Sequence, residues 1–456
     1  MSAKTTIIAA VILAALAAYI YRYEREPVES DVESKYEKIF SFEAEKIQEI
    51  EIRRPEAETV RLRRTGEEAW QLVSPIDFAA DEVASRSLAN AASSLERERV
   101  VALGEVDLAD FGLDAPQLEL ELKLQDVEKP TTLLMGSETP TGSNLYARLA
   151  EGNEIFVMAS SSKYALEKSV WDLRDRLILH FSRDDVETVV LEQSGKRVVL
   201  ARASEDLWNV AEPAVARADR YKTSGLVSML ETAKMEELVS ETGEDLASYG
   251  LSSPSYQVEI QLKGGRSETL LVGAQKDTNY YARNPDRSLI YLIGQSVADE
   301  IKKDETEYLS KRLFDFATYQ VNKLQIASAD GSTRIYEKSK EDEQDVWKET
   351  APQARDMDRT KVDDLLYKLN SSDAAETVTE GPGLDNPKYT ITVWSQEGAN
   401  VEELAVGQPV GDAVYAHRKG EELFLKLAAT SWNEIEKVMG FEDALPQERI
   451  SPPEKD

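Results

Sequence analysis

Cysteine is absent from the 456 residues, and histidine occurs twice, as His180 and His417. Without a thiol there is no disulfide, no thiolate nucleophile, no cysteine-ligated zinc and no acylated cysteine of the bacterial lipoprotein type. The two histidines lie at unlike positions, which argues against a histidine-rich metal site or a shared histidine catalyst. Basic residues are also in short supply: 54 Lys and Arg face 85 Asp and Glu, for a net charge of −31. Such a field repels phosphates, so nucleic acid and anionic headgroups are not general partners. The chain carries no phosphate loop, dinucleotide fingerprint, kinase set or nucleophile elbow. Nothing in it calls for a cofactor. Acidic pairs such as Asp184-Asp185 and Asp363-Asp364 are not repeated at fixed offsets, and adjacent acids belong on solvated faces in so acidic a chain.

What is present is a threefold repeat. Trp-x4-Pro occurs at Trp70/Pro75, Trp208/Pro213 and Trp347/Pro352. An Asp follows each Pro, at Asp81, Asp219 and Asp358. Next comes Gly-Leu-x-x-Pro, at Gly112-Leu113, Gly250-Leu251 and Gly383-Leu384. A small apolar run ends at Gly136, Gly273 and Gly407. Tyr-Ala-Arg/His closes the series at Tyr146-Ala147-Arg148, Tyr281-Ala282-Arg283 and Tyr415-Ala416-His417. A period of this length exceeds that of small solenoid repeats and matches a domain with its own core.

The copies read as α+β: three tandem homologous domains of antiparallel β meanders with helices packed on one face, at 41–180, 181–315 and 316–440. Leu118–Leu124, Tyr256–Leu262 and Tyr389–Trp394 alternate apolar and polar, the signature of half-buried strands. Each unit reads three strands, a helix, four strands and a closing helix. Asp81, Asp219 and Asp358 suit helix N-caps, since a carboxylate accepts the unpaired N–H groups of the first turn. The second-copy helix is expected from Arg220 to Glu237, with Leu226, Met229 and Leu230 on one face. Closing helices are expected at 162–172, 297–304 and 431–438. Gly112, Gly250 and Gly383 suit turns with positive φ.

Ahead of the repeats, residues 5–23 are apolar or weakly polar except Arg22. A helix of that length spans ~28 Å, enough for a bilayer core. A signal anchor over 1–23 is the expectation, with Tyr19, Tyr21 and Tyr23 at the interface. A cleavable signal peptide, with a site near Ala15-Leu16-Ala17, competes with it. Lys4 and Arg22/Arg25 pull the orientation in opposite directions. Residues 24–40 are expected to form a charged linker and 441–456 a mobile tail.

Tyr and Arg two apart share one face of a strand, and both favour binding hot spots. Tyr146, Arg148, Tyr281, Arg283, Tyr415 and His417 are therefore a candidate interaction surface. The competing reading packs each Tyr on the core and pairs each Arg with an acid. The three Trp residues are core anchors first and sugar or peptide platforms second.

The ordered series resembles a bacterial domain-of-unknown-function family of tandem α+β repeats. The resemblance is carried by the N-terminal anchor, Trp-x4-Pro, Phe111 to Pro116, Tyr249 to Pro254, Leu-Leu-x-Gly and Tyr-Ala-Arg. Leu173-Arg174-Asp175-Arg176 and Ser310-Lys311-Arg312 share it. The third copy departs, with Gly381-Pro382-Gly383 and His417. Members are often encoded beside gliding-motility-type ABC transporter genes. The resemblance implies a membrane-anchored scaffold or binding subunit of the bacterial inner membrane, with its domains facing the periplasm or cell exterior. An ABC permease or auxiliary subunit is the implied partner, and no catalytic residues carry over. The expectation is a non-enzyme. An envelope polysaccharide hydrolase with a site between domains, and a secreted soluble binding protein, are the alternatives.

Overall fold

The computed structural model describes residues 36–205, 207–341 and 344–440. The expected anchor at 5–23, most of the linker and the tail lie outside the described residues. Among the described residues, no helix is long and apolar enough to cross a membrane.

The described chain forms three nine-stranded antiparallel sheets with a few helices. In the first sheet the strands lie in the order Phe78–Ala79, Trp70–Ser74, Val60–Arg64, Ile47–Arg53, Leu118–Leu124, Thr131–Glu138, Asn144–Leu149, Glu154–Ala159 and Arg99–Leu103. The second and third sheets repeat that order. The central pairing joins the two halves of each copy, with Ile50 opposite Leu122, Val189 opposite Ile260 and Leu324 opposite Val393. The chain divides into two compact units, the first ending at Arg176 and the second beginning at Leu177.

Alternation builds the core. Leu118, Leu120 and Leu122 are buried, and the residues between them are half-exposed. They join Leu88, Ala89 and Ala92 from the helix Glu82–Ser93 in one apolar cluster. The third copy repeats this, with Ile391 and Val393 against Val362, Leu365, Leu366 and Leu369. Burying a Leu or Ile side chain contributes about 1.5–3 kcal/mol, so each of these clusters contributes to the stability of its own copy.

The three Asp residues cap their helices. Asp81 accepts from Ala84 N–H, Asp219 from Tyr221 and Lys222 N–H, and Asp358 from Thr360 N–H. Gly112, Gly250 and Gly383 have φ of 64°, 70° and 85°. Pro75, Pro213 and Pro352 all follow cis peptide bonds.

Several expected elements differ. The second-copy helix ends at Thr232 rather than Glu237. Ala233 is extended, and its carbonyl accepts from Ile178 N–H at 3.1 Å, a contact distant in sequence. Met229 is half-buried, while Val227 joins Leu226 and Leu230 in the interior. The closing helix of the first copy breaks into Ser160–Leu166 and Val170–Leu173, because Ser169 and Asp172 form a new capping box. That of the second copy divides into Gln295–Ile301 and Glu305–Tyr308, with Asp304 capping the latter. An unforeseen strand follows each long helix, at Arg99–Leu103, Glu237–Ser240 and Glu376–Val378. It returns to the far edge of the sheet beside the last meander strand. At the end of the expected linker, Glu37–Lys38 pairs with Glu96–Arg97.

Candidate functional site

The Tyr-Ala-Arg/His segments occupy the seventh strand of each order, at Asn144–Leu149, Asn279–Arg283 and Ala413–Arg418. Pleating sends neighbouring side chains to opposite faces. Leu145 and Ala147 are fully buried in the core, whereas Tyr146 and Arg148 are half-buried on the other face. Tyr281/Arg283 and Tyr415/His417 have the same disposition.

That other face is occupied by the glycine turn. Phe111 meets Tyr146 edge-on, with ring centroids 5.0 Å apart, and Tyr249 meets Tyr281 at 4.9 Å. Such ring pairs contribute about 0.5–1.5 kcal/mol beyond their buried area. The rings arrive there because two backbones nearly touch. A Cβ on Gly136 would lie 2.2 Å from Phe111 O, and one on Gly273 would lie 2.2 Å from Tyr249 O. Tyr249 O accepts from Ala274 N–H at 2.8 Å. In the third copy Pro382 stands where the aromatic would be, and Phe424 packs on His417 instead, with centroids 4.8 Å apart.

The arginines and the histidine serve the hairpin that follows their strand. Arg148 Nη2 donates to Gly152 O at 2.7 Å and Ala150 O at 3.3 Å. Arg283 Nη2 donates to Pro285 O at 3.1 Å and Arg287 O at 3.3 Å. His417 Nε2 donates to Glu421 O at 2.8 Å, the only polarity a carbonyl acceptor permits. His417 therefore reproduces the contact that arginine makes in the other copies. These partners are backbone carbonyls, not the acids that the competing reading gave the arginines. Each of the six candidate residues finds its described partners within its own copy.

A second constellation, unforeseen from the sequence, lies on the tryptophan strand. Arg64 stands opposite Trp70, Arg202 opposite Trp208 and Lys338 opposite Trp347. The cation covers the indole at 4.3, 4.5 and 5.2 Å from the ring centroid. Arg64 also donates to Ile47 O, Ala44 O and Glu67 O, and Arg202 to Val186 O, Arg183 O and Glu205 O. Burial acts to lower the pKa of Arg64; it keeps its charge, which an indole face stabilises. An Arg six residues before Trp in two copies was the available signal. The longer hairpin of the third copy broke that spacing.

Buried charge is concentrated elsewhere on the sheets. Glu51 is 5% exposed and is held by Arg53 and Arg61. Burial alone would raise its pKa, but the hydrogen bonds and charges of Arg61 and Arg53 win and hold it below the ordinary carboxylate value. Between the second and third sheets, Arg217 pairs with Glu402 at 2.7 Å. Val215 and Glu422 exchange two bonds there, at 2.7 and 2.9 Å.

Fold and site together define a tandem-repeat α+β protein whose repeated motif residues hold turns, caps and hairpins. The family described as Domain of unknown function (DUF4340) matches the chain over residues 70–208 and 208–382, more than half its length. The chain belongs to this family. Both matched segments begin at a repeat tryptophan, Trp70 and Trp208. No curated protein matches the chain.

Proposed function

We propose that this protein is a non-enzymatic, membrane-anchored scaffold or binding subunit. Residues 5–23 anchor it in the bacterial inner membrane, and its repeats face the periplasm or cell exterior. It serves there as an accessory part of an ABC-type transporter complex, against the permease or its auxiliary subunit.

The observation that carries this reading is the use made of the repeated polar side chains. Asp81, Asp219 and Asp358 cap helices, and Arg148, Arg283 and His417 close hairpins. Residues repeated for backbone support are what a scaffold needs, because each copy must hold a fixed surface. The apolar run at 5–23 supports the anchor, and the family resemblance of the ordered motifs supports the compartment and the partner.

Affinity purification of the full-length chain in mild detergent, with mass spectrometry of co-purifying proteins, tests the proposal. Stoichiometric recovery of an ABC permease or its auxiliary subunit is expected. Recovery of the chain alone would remove the transporter assignment. Release of the chain into the soluble fraction of intact envelopes would remove the anchor.

A further inference from the structure

The second copy contains an open cleft of about 670 Å3 beside its tryptophan. Arg183, Arg202, Trp208, Ser224, Ser228 and Lys263 line it, and Asp184 and Glu205 also reach it. The size lies within the ~300–1,000 Å3 typical of small-molecule sites.

Comparing the copies indicates what belongs in this space. Five residues beyond the capping Asp, the helix carries Arg86 in the first copy, Ser224 in the second and Asp363 in the third. In the third copy Asp363 supplies a carboxylate to the tryptophan: Trp347 Nε1 donates to Asp363 Oδ1 at 3.2 Å. In the first copy Arg86 is occupied by Glu68 at 3.0 Å. In the second copy the position is a short, exposed Ser224, which brings no carboxylate to the indole of Trp208. One helical turn further on stand Asn90, Ser228 and Tyr367, so the second copy is again the smallest.

Three cations, Arg183, Arg202 and Lys263, and two carboxylates, Asp184 and Glu205, line the cleft, a small cationic excess in a strongly acidic chain. Arg202 is stacked on Trp208, and its three nitrogens each donate to a backbone carbonyl at 2.7 Å. The guanidinium is thereby held in place without a carboxylate partner among the described residues. Lys263 Nζ is likewise oriented by a carbonyl, Asp184 O at 2.8 Å. Among the described residues, the Arg183 guanidinium meets a carboxylate only loosely, Asp184 at 3.9 Å. The guanidinium of Arg202 and the ammonium of Lys263, held by carbonyls beside an indole that Ser224 leaves without the carboxylate of the third copy, favour an anion.

We propose that the cleft binds a small organic carboxylate, whose carboxylate group takes the place that Asp363 fills in the third copy, accepting from Trp208 Nε1 and facing Arg202 and Lys263. The hydroxyls of Ser224 and Ser228, one turn apart on the helix, suit a ligand with hydroxyl groups of its own. A sugar acid meets both requirements, as a free molecule or as a uronic acid unit of an acidic polysaccharide. The inference is independent of the membrane assignment and of the transporter partner.

Calorimetric titration of the full-length chain in detergent with sodium glucuronate, an oligoglucuronate and inorganic phosphate tests it. Saturable binding of glucuronate to one site per chain is expected, with phosphate at least tenfold weaker. Tighter binding of the oligomer would identify a polysaccharide as the source, and equal binding a free sugar acid. Ser224→Asp restores the residue type of the third copy and should fold, as a thermal melt would show. It is expected to weaken binding at least tenfold by filling the cleft with its own carboxylate. Lys263→Gln, at the exposed rim, is expected to weaken binding severalfold. Absence of saturable binding by either sugar acid, equal binding of phosphate, or unchanged binding in Ser224→Asp would overturn the proposal.

Discussion

Tyr249 O lies where the Cβ of any residue larger than glycine at position 273 would stand, 2.2 Å from the ideal Cβ position. The same carbonyl accepts from Ala274 N–H, so neither backbone can retreat without losing a hydrogen bond. This contact places the Tyr249 ring on Tyr281 and ties the glycine turn to the meander. The first copy repeats it with Phe111 O and Gly136.

Gly273→Ala is therefore expected to destabilise the second copy by about 1–3 kcal/mol, the range for forcing extra atoms into packed structure. Thermal melting measured against the unsubstituted chain checks this. Gly225→Ala serves as the control, since a Cβ there meets nothing within 4 Å. It should leave the melt unchanged or raise it slightly, because alanine favours the helix.

Arg148→Ala removes donors to Gly152 O and Ala150 O and leaves those carbonyls to water. A hydrogen bond to a charged group contributes about 1.5–3 kcal/mol, and part of that returns because the hairpin is at the surface. Hydrogen exchange should quicken in the hairpin at 149–154 with little change in the helix Glu82–Ser93. Arg148→Lys should restore protection only in part, since an ammonium lacks the planar fork. Uniform acceleration over the whole first copy would contradict a local role.

Glu51 carries the pH prediction. Its pKa in the fold is depressed below the ordinary 4.5 by Arg61 and Arg53, against the opposing effect of burial. The stability it contributes is therefore fully present above 4.5 and is lost as pH falls through the depressed value. Melting temperatures followed downward from pH 6 should drop below pH 4.5. In Glu51→Gln the starting stability should be lower and this part of the acid slope shallower. An acid slope identical to that of the parent would remove Glu51 from the account.

Arg217→Ala should loosen the second sheet from the third. It leaves Glu402, whose side chain is 9% exposed, without its guanidinium, although Asp315 N–H still bonds it at 3.0 Å. Leaving such a charge unpaired costs up to about 3–5 kcal/mol when burial is complete. The connecting residues 309–316 should become more accessible to protease, whereas cleavage within either sheet should not rise. In the first copy the residue nine beyond the tryptophan is Ala79, where the second has Arg217. The first copy thus lacks this cation.

The sequence determined the features that depend on neighbours along the chain. Alternation in Leu118–Leu124 marked a strand, Asp219 before a helical run marked a cap, and Gly250 marked a positive-φ turn. Each is a short-range requirement of backbone geometry, so it leaves a readable pattern. The three-copy organisation was equally legible in the spacing of Trp, Pro, Gly and Tyr. Tertiary structure decided what those residues touch. The end of the helix at Thr232 depends on Ile178, and the edge strand Arg99–Leu103 depends on Glu154–Ala159. The stacking of Arg202 on Trp208 depends on the register between two strands. The cleft beside Trp208 is lined by Ser224, at the helix position from which Asp363 reaches the indole in the third copy. Contacts between residues distant along the chain form only when packing brings them together, and a single sequence records the side chains but not that encounter.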